Sequence, residues 1–336
     1  MVLKFLLLMP LLLISGAAAL AEGLILQHVS YMDTRDLFTA YNDDFTRHYR
    51  AGSGGQVEVA MSHGSTIRQR RRVLSGELRP VLISMPHRFE LDLMAAQGVI
   101  SASWDVELPA SASPMATPLV FMVRRDNPLG IRSWDDLSGG EGEIIAADPA
   151  TSGLGRYTYL TQYVLARQHA SMDEDAIRSR LLRFYARTGR LFPSSRAAVR
   201  EFVERQRGDV LIIWENTALS LLSDPEVAAR YALVVPESTL MCQPRIAVAA
   251  SAASGEEALR AARAYAHRLF LPEGQQLIAR HNFRPRDPRV AQAHADRFAP
   301  VELPDLAVIG TIDEFVTTHF GDEGWFYEIW REANSE

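Results

Sequence analysis

The run Gly208-Asp209-Val210-Leu211-Ile212-Ile213-Trp214-Glu215-Asn216 carries the most informative chemistry in the chain. Its apolar, β-branched stretch reads as a strand buried on both faces, of the kind found in parallel sheets. The strand ends on an indole, a side chain that donates one N–H and accepts nothing. In α/β folds the carboxyl edge of the sheet is where ligands bind. Four other segments place hydroxyl or glycine residues between a strand and a helix: Tyr31-Met32-Asp33-Thr34, His63-Gly64-Ser65-Thr66, Thr151-Ser152-Gly153-Leu154-Gly155 and Pro193-Ser194-Ser195. Unpaired amides at a helix start carry partial positive charge and suit an oxyanion without any full cation. Each loop alone is a weak signal, because Ser and Thr are ordinary helix caps. Together with Trp214 they describe a cleft for a small, fully ionised anion.

The elements that must position these residues alternate. Strands are expected at 24–29, 57–61, 81–85, 119–123, 144–147, 210–214, 231–235 and 245–249. Helices are expected at 34–49, from 66 to near Gly76, and at 156–167, 174–185, 196–207 and 256–269. A turn is read at Pro272-Glu273-Gly274. Such alternation defines the α/β class. The C-terminal stretch reads as helical, with its aromatic residues as packing anchors. The most direct reading of Arg68, Arg70, Arg71 and Arg72 is the solvated face of a helix.

Residues 1–21 read as a cleaved signal peptide: Lys4, an apolar core, then Ala19-Leu20-Ala21. About 315 residues would remain, enough for two domains. The chain's net charge is −6, and Lys4 is its sole lysine, so the mature chain would be one unit more negative. That balance argues against nucleic acid as a partner. The single cysteine, Cys242, cannot form an internal disulfide and reads as a small buried hydrophobe. No metal-ligand spacing is present and no cofactor is implied. His63 with Ser65 and an acid could be imagined as a hydrolase triad, but no nucleophile elbow exists, so no catalytic residue is assigned.

Across nearly its whole mature length the sequence resembles the periplasmic sulfate-binding proteins that feed ABC importers. The resemblance is carried by Val29-Ser30-Tyr31 with Thr34-Arg35, Ser62-His63-Gly64, Ser152-Gly153 with Arg156, Phe202-Val203-Glu204-Arg205, Gly208 to Ile212 with Trp214-Glu215-Asn216, and Arg284-Pro285-Arg286-Asp287. It implies a two-lobed, type II periplasmic-binding-protein fold, with mixed sheets flanked by helices and a ligand cleft between the lobes. Lobe one would comprise 22–116 and 243–336, and lobe two 117–242, with crossings near 114–119 and 236–245. The resemblance also implies the donors: the backbone N–H of Met32, the N–H and hydroxyl of Thr66, the hydroxyl of Ser152, the amides of Gly153, Leu154 and Ser195, and the Trp214 indole.

The family reads Ser-Tyr-Asp-Pro-Thr-Arg where this chain has Ser30-Tyr31-Met32-Asp33-Thr34-Arg35, so the acid has moved one place. Ile67 and Leu154 stand where the family has glycine, and non-glycine residues rarely accept positive φ. Asp33 and Ser65 are the candidate specificity residues. The simplest role for Asp33 is to cap the helix beginning near Thr34. Facing the cleft instead, it would repel sulfate and favour an anion that carries a proton. The expected function is capture of a tetrahedral oxyanion, sulfate first, by a monomeric periplasmic protein that delivers it to an inner-membrane ABC permease. Thiosulfate, molybdate, phosphate or a small sulfonate are alternative ligands. A periplasmic sensor or interaction protein that no longer serves transport is the alternative of another class.

Overall fold

A computed structural model describes residues 23–335 apart from 54, 169–172 and 322; the proposed signal peptide lies outside the described residues. Two mixed sheets organise the chain. In the first, β1 (Leu24–Tyr31) is central and runs parallel to β2 (Val57–Gly64) and β3 (Leu82–Met85), while β10 (Arg245–Val248) closes the far edge antiparallel to β3. In the second, β4 (Met115–Arg124) lies antiparallel to β7 (Val210–Trp214), and β5 (Ile144–Ala147) is parallel to β7 and to β6 (Leu191–Phe192). Strands β8 (Tyr231–Val234), β9 (Met241–Cys242) and β11 (Arg284–Pro285) also pair with β4.

The chain crosses between sheets three times, the last time at β11, which pairs with β4. It leaves the first sheet through β4, whose opening residues Met115 and Ala116 pair with β11. It returns through β9 and β10, which are three residues apart.

The expected strands are present; β1, β2 and β4 run longer than periodicity indicated, while β3, β8 and β10 are one residue shorter. β1 pairs with β2 along its full length, from Leu24↔Val57 to Tyr31↔Gly64, which draws His63 and Gly64 out of the expected loop and into the strand. The helix expected from 156 begins at Gly153 and runs to Gln168. The helix expected over 196–207 is an α-helix, Ser195–Val199, followed by a π-turn, Arg200–Glu204, and ends before Gly208, whose φ is +73°. The expected turn at Pro272 is instead the start of the helix Pro272–Arg280. Proline is tolerated in a first helical turn, where its missing N–H is not needed. Gly274 fits there because a Cβ would sit 2.3 Å from the Arg268 carbonyl oxygen.

The first sheet buries Leu26, Phe38, Tyr41, Phe45 and Tyr265 on one face and Val29, Ile83, Met94 and Trp104 on the other. The second sheet has a single large core around Phe121, Ile145, Phe184 and Ile212. Helices Ile312–Phe320 and Trp325–Ala333 bury Phe315, Phe326 and Ile329 in that second core. The packing therefore differs from the expectation for 243–336: its last two helices sit with the second sheet, because their apolar faces complete that core. Phe320, Trp325, Tyr327 and Trp330 pack against the same core, as anchors rather than as a separate surface.

Candidate functional site

The carboxyl ends of β1, β2, β5 and β7 and the loops after them face one another across the gap between the sheets. They enclose a small cavity of about 10 Å³. The first sheet contributes Tyr31, Met32, Asp33, Gly64, Ser65, Thr66 and Pro86; the second contributes Ser152, Gly153, Leu154, Ser194, Ser195 and Trp214. Met32, Thr66, Ser152, Gly153, Leu154, Ser195 and Trp214, the seven expected donors, thus line a single space with Asp33 and Ser65. Tyr31, Gly64 and Ser194 lie within the expected loops without an assigned donor role, and Pro86 lies outside those loops. Each is a chain neighbour of an expected residue except Pro86, which follows β3 and carries no polar signal.

Helix starts surround this space. In the helix Thr66–Leu74 the Gln69 amide bonds back to the Ser65 carbonyl at 2.9 Å, so the amides of Thr66, Ile67 and Arg68 stand ahead of the ladder. The Ser65 side chain caps none of them. In the Gly153 helix the Arg156 amide bonds to the Ser152 carbonyl at 3.1 Å, which likewise frees Gly153, Leu154 and Gly155. The 3-10 turn Met32–Thr34 and the helices from Ser195 and Glu215 also begin at the cavity wall. Ser194 caps its own helix by accepting from the Ala197 amide.

Ile67 and Leu154 are absent from the positive-φ residues; both sit inside helices and are buried. The loss of glycine at these positions therefore leaves the helix-start geometry unstrained. Trp214 is 1% exposed, and its ring meets Tyr157 edge-on at 5.3 Å. The Tyr31 hydroxyl is buried with no hydrogen-bond partner among the described residues, and burial holds its pKa well above the usual range.

Among the described residues, Asp33 is the only charged one lining the cavity. The 3-10 turn it belongs to has Tyr31 at its N-cap and no side-chain cap bond, so the expected capping role is not the one it plays. Burial pushes its pKa up to about 6, and the nearby Ser195 side chain and its own backbone amide only partly oppose that rise. Asp33 and Ser195, from opposite sheets, line the same cavity.

Contacts elsewhere tie the two sides together. The Asn216 side chain reaches the Asp33 carbonyl at 3.5 Å, and the Cys242 thiol reaches the Pro86 carbonyl at 3.4 Å. Burial pushes the Cys242 thiol pKa up, in keeping with its reading as a buried hydrophobe. Arg70 departs from the expected solvated face: it turns inward to Glu90 at 2.9 Å, while Arg68 and Arg71 are exposed and Arg72 pairs with Glu77. Glu90, 0% exposed, also meets Arg156 at 3.4 Å, a charge cluster that no local pattern announced. His63 Nδ1 lies 3.4 Å from the Tyr31 carbonyl and outside the cavity, so no triad with Ser65 is assembled. Among the described residues no group of three or more His, Cys, Asp or Glu side chains could hold a metal ion.

The family model for bacterial extracellular solute-binding proteins matches residues 26–284. A sulfate-binding protein of Salmonella typhimurium is 30% identical over 95% of this chain and 96% of its own length. A thiosulfate-binding protein of Pseudomonas aeruginosa is 31% identical, covering 94% of this chain and 95% of its own. Among solved structures, the sulfate-binding protein SubI from Mycobacterium tuberculosis superposes with a TM-score of 0.73 at 26% identity, covering 85% of this chain and 96% of that one. A periplasmic thiamin-binding protein shares the fold at a TM-score of 0.68 and 15% identity. Two mixed sheets meeting at a donor-lined cavity, matched by family and by fold, make this chain a member of the bacterial extracellular solute-binding protein family.

Proposed function

We propose that this protein captures a tetrahedral oxyanion, sulfate first, in the periplasm and delivers it to an ABC permease without chemical turnover. The observation that carries the reading is the convergence of Met32, Thr66, Ser152, Gly153, Leu154, Ser195 and Trp214 on one small cavity that, among the described residues, no arginine lines. These groups donate hydrogen bonds from helix-terminal amides, hydroxyls and an indole. Together they can replace the hydration shell of a dianion without ion pairs. The relatives named for sulfate and thiosulfate support the same class of ligand.

Binding would proceed by closure of two lobes. We assign 23–114, with 245–283 and 288–293, to the lobe built on the first sheet, and place β11, paired with the opening of β4, at the crossing. The lobe built on the second would comprise 119–240 with the helices of 312–333. β4 and the β9–β10 segment serve as the hinge. Each lobe holds half of the donors, so the anion gains its full set of bonds only when the cleft is shut. Thiosulfate is the second reading, favoured by the thiosulfate-binding relatives at 28–31% identity.

Calorimetry with sulfate, thiosulfate, molybdate and phosphate tests the proposal. Sulfate or thiosulfate is expected to bind, and Trp214→Phe, which keeps an aromatic ring and removes the N–H, is expected to weaken binding about 10- to 100-fold, the range of a hydrogen bond to a charged group. Absence of binding to all four anions would instead favour a sensor or interaction role.

A further inference from the structure

Asp33 sits at a junction. It lines the inner cavity with Ser195 and Trp214, and also an outer cavity that shares Met32, Asp33 and Ser195 with the inner one. Among the described residues no cation forms an ion pair with it, and it caps no helix. The other polar side chains of the inner wall, the hydroxyls of Tyr31, Ser65, Thr66, Ser152, Ser194 and Ser195 and the Trp214 indole, can all donate. An ionised carboxylate can only accept.

The charged and titratable groups around Asp33 do not neutralise it. Arg35 and Asp36, from the helix after it, and Arg196, from the helix opposite, are exposed and line only the outer cavity. His281, at the end of the helix Pro272–Arg280, lines the outer cavity too, and burial lowers its pKa, so it stays neutral near pH 7. Tyr31, Tyr157 and Cys242, toward the interior, are held in their neutral forms by burial. A dianion brought into the inner cavity therefore meets a like charge in a space poor in water, unless a proton intervenes.

We propose that closure of this site on a tetrahedral oxyanion is coupled to one proton, held between the Asp33 carboxyl and the ligand. The proposal rests on the oxyanion reading above and makes Asp33 the specificity-determining residue. An anion that carries its own proton donates it in a hydrogen bond to the Asp33 carboxylate. A fully ionised anion, such as sulfate, binds with Asp33 protonated, and the proton is drawn from solvent. The carboxyl's pKa of about 6 puts that uptake within reach near neutral pH.

The test is calorimetry of sulfate binding between about pH 5 and pH 8, repeated in two buffers of different ionisation enthalpy to count protons. The wild-type protein is expected to take up about one proton per sulfate near pH 7.5. Its affinity should fall by nearly tenfold for each pH unit above about 6, the slope of one linked proton. Asp33→Asn, which retains His281, is expected to bind sulfate with a flat profile and no uptake. Phosphate, which is already protonated at neutral pH, should bind the wild type without net uptake. Sulfate binding by the wild type with a flat profile and no uptake would overturn the coupling and leave the oxyanion reading standing. A slope that survives in Asp33→Asn would also overturn it, by assigning the proton to His281. If neither protein binds sulfate, thiosulfate or phosphate at any pH, the oxyanion reading falls and the coupling falls with it.

Discussion

The carboxylate of Glu90 lies 3.4 Å from the guanidinium of Arg156, joining the helix Arg88–Ala96 beside the first sheet to the helix Gly153–Gln168 on the second. Arg70 approaches the same carboxylate at 2.9 Å. Glu90 is 0% exposed, and the side chains of Arg70 and Arg156 are 16% and 14% exposed. One buried acid thus serves two arginines, one on each side of the cleft. Removing the shared partner leaves two cations together in a poorly solvated space. Glu90→Gln is expected to destabilise the protein by about 2–4 kcal/mol in urea denaturation, slightly below the range for a fully buried pair because both arginines reach some solvent. Arg156→Gln, which leaves Glu90 paired with Arg70, should cost less. Equal losses in the two variants would refute the shared arrangement.

Gly153 reports how tightly the two sides meet. A Cβ there would fall 2.7 Å from His87 Nε2, 3.0 Å from Thr66 Oγ1 and 3.1 Å from Pro86 Cγ, all on the opposite side of the cleft. Gly153→Ala should leave each lobe folded, with a change in stability within about 0.5 kcal/mol, and lower anion affinity at least tenfold by holding the cleft ajar. Calorimetry and small-angle scattering of the anion-loaded protein check both halves. Gly155→Ala makes the contrast: its Cβ would meet the Ala147 carbonyl oxygen and the Asp148 carbonyl carbon at 2.5 Å, within its own lobe. That variant is expected to lose stability whether or not an anion is present.

Burial raises the pKa of the Asp33 carboxyl from 3.8 to about 6. The folded state therefore holds the proton more tightly than the unfolded chain. The cost of the buried charge is present in full above about pH 6, is relieved as pH falls, and is gone below about pH 4. Asp33→Asn should accordingly be more stable than the wild type near pH 7.5, by about 1–2 kcal/mol once partial exposure is allowed for. The difference should shrink toward pH 4. Chemical denaturation of both proteins at several pH values measures it.

His28 works in the opposite direction. It lies in the first core, bonded to Ser84 Oγ at 2.7 Å and Tyr265 Oη at 3.2 Å, and burial lowers its pKa from 6.5 to about 3. The unfolded chain therefore binds the proton first. The stability this neutral ring contributes is complete above about pH 6.5 and is lost as pH falls toward 3, an effect on the order of 3–4 kcal/mol. His28→Gln should lose stability at neutral pH yet show a shallower decline between pH 6.5 and 4. An unchanged acid slope in that variant would remove His28 from the account.

Much of this protein follows from short-range pattern. The strand Ile144–Ala147 has the bounds its apolar run indicates, and Val210–Trp214 ends on the tryptophan that closes the run. The nine cleft residues could be named because strand ends, hydroxyls and helix starts lie within a few residues of one another in sequence. Elsewhere the local signal misled. Pro272-Glu273-Gly274 has the composition of a turn, and only close packing of Gly274 on Arg268 makes it a helix start. The shared cavity wall of Asp33 and Ser195, the meeting of Glu90 with Arg156 and the docking of Phe315 and Phe326 in the second core join residues far apart in the chain. Hydrogen-bond ladders and amphipathic periodicity are local and are written into neighbouring residues. Which buried faces meet is decided by closing apolar surface against apolar surface across the whole fold, and that choice also fixed the environment that raises the Asp33 pKa.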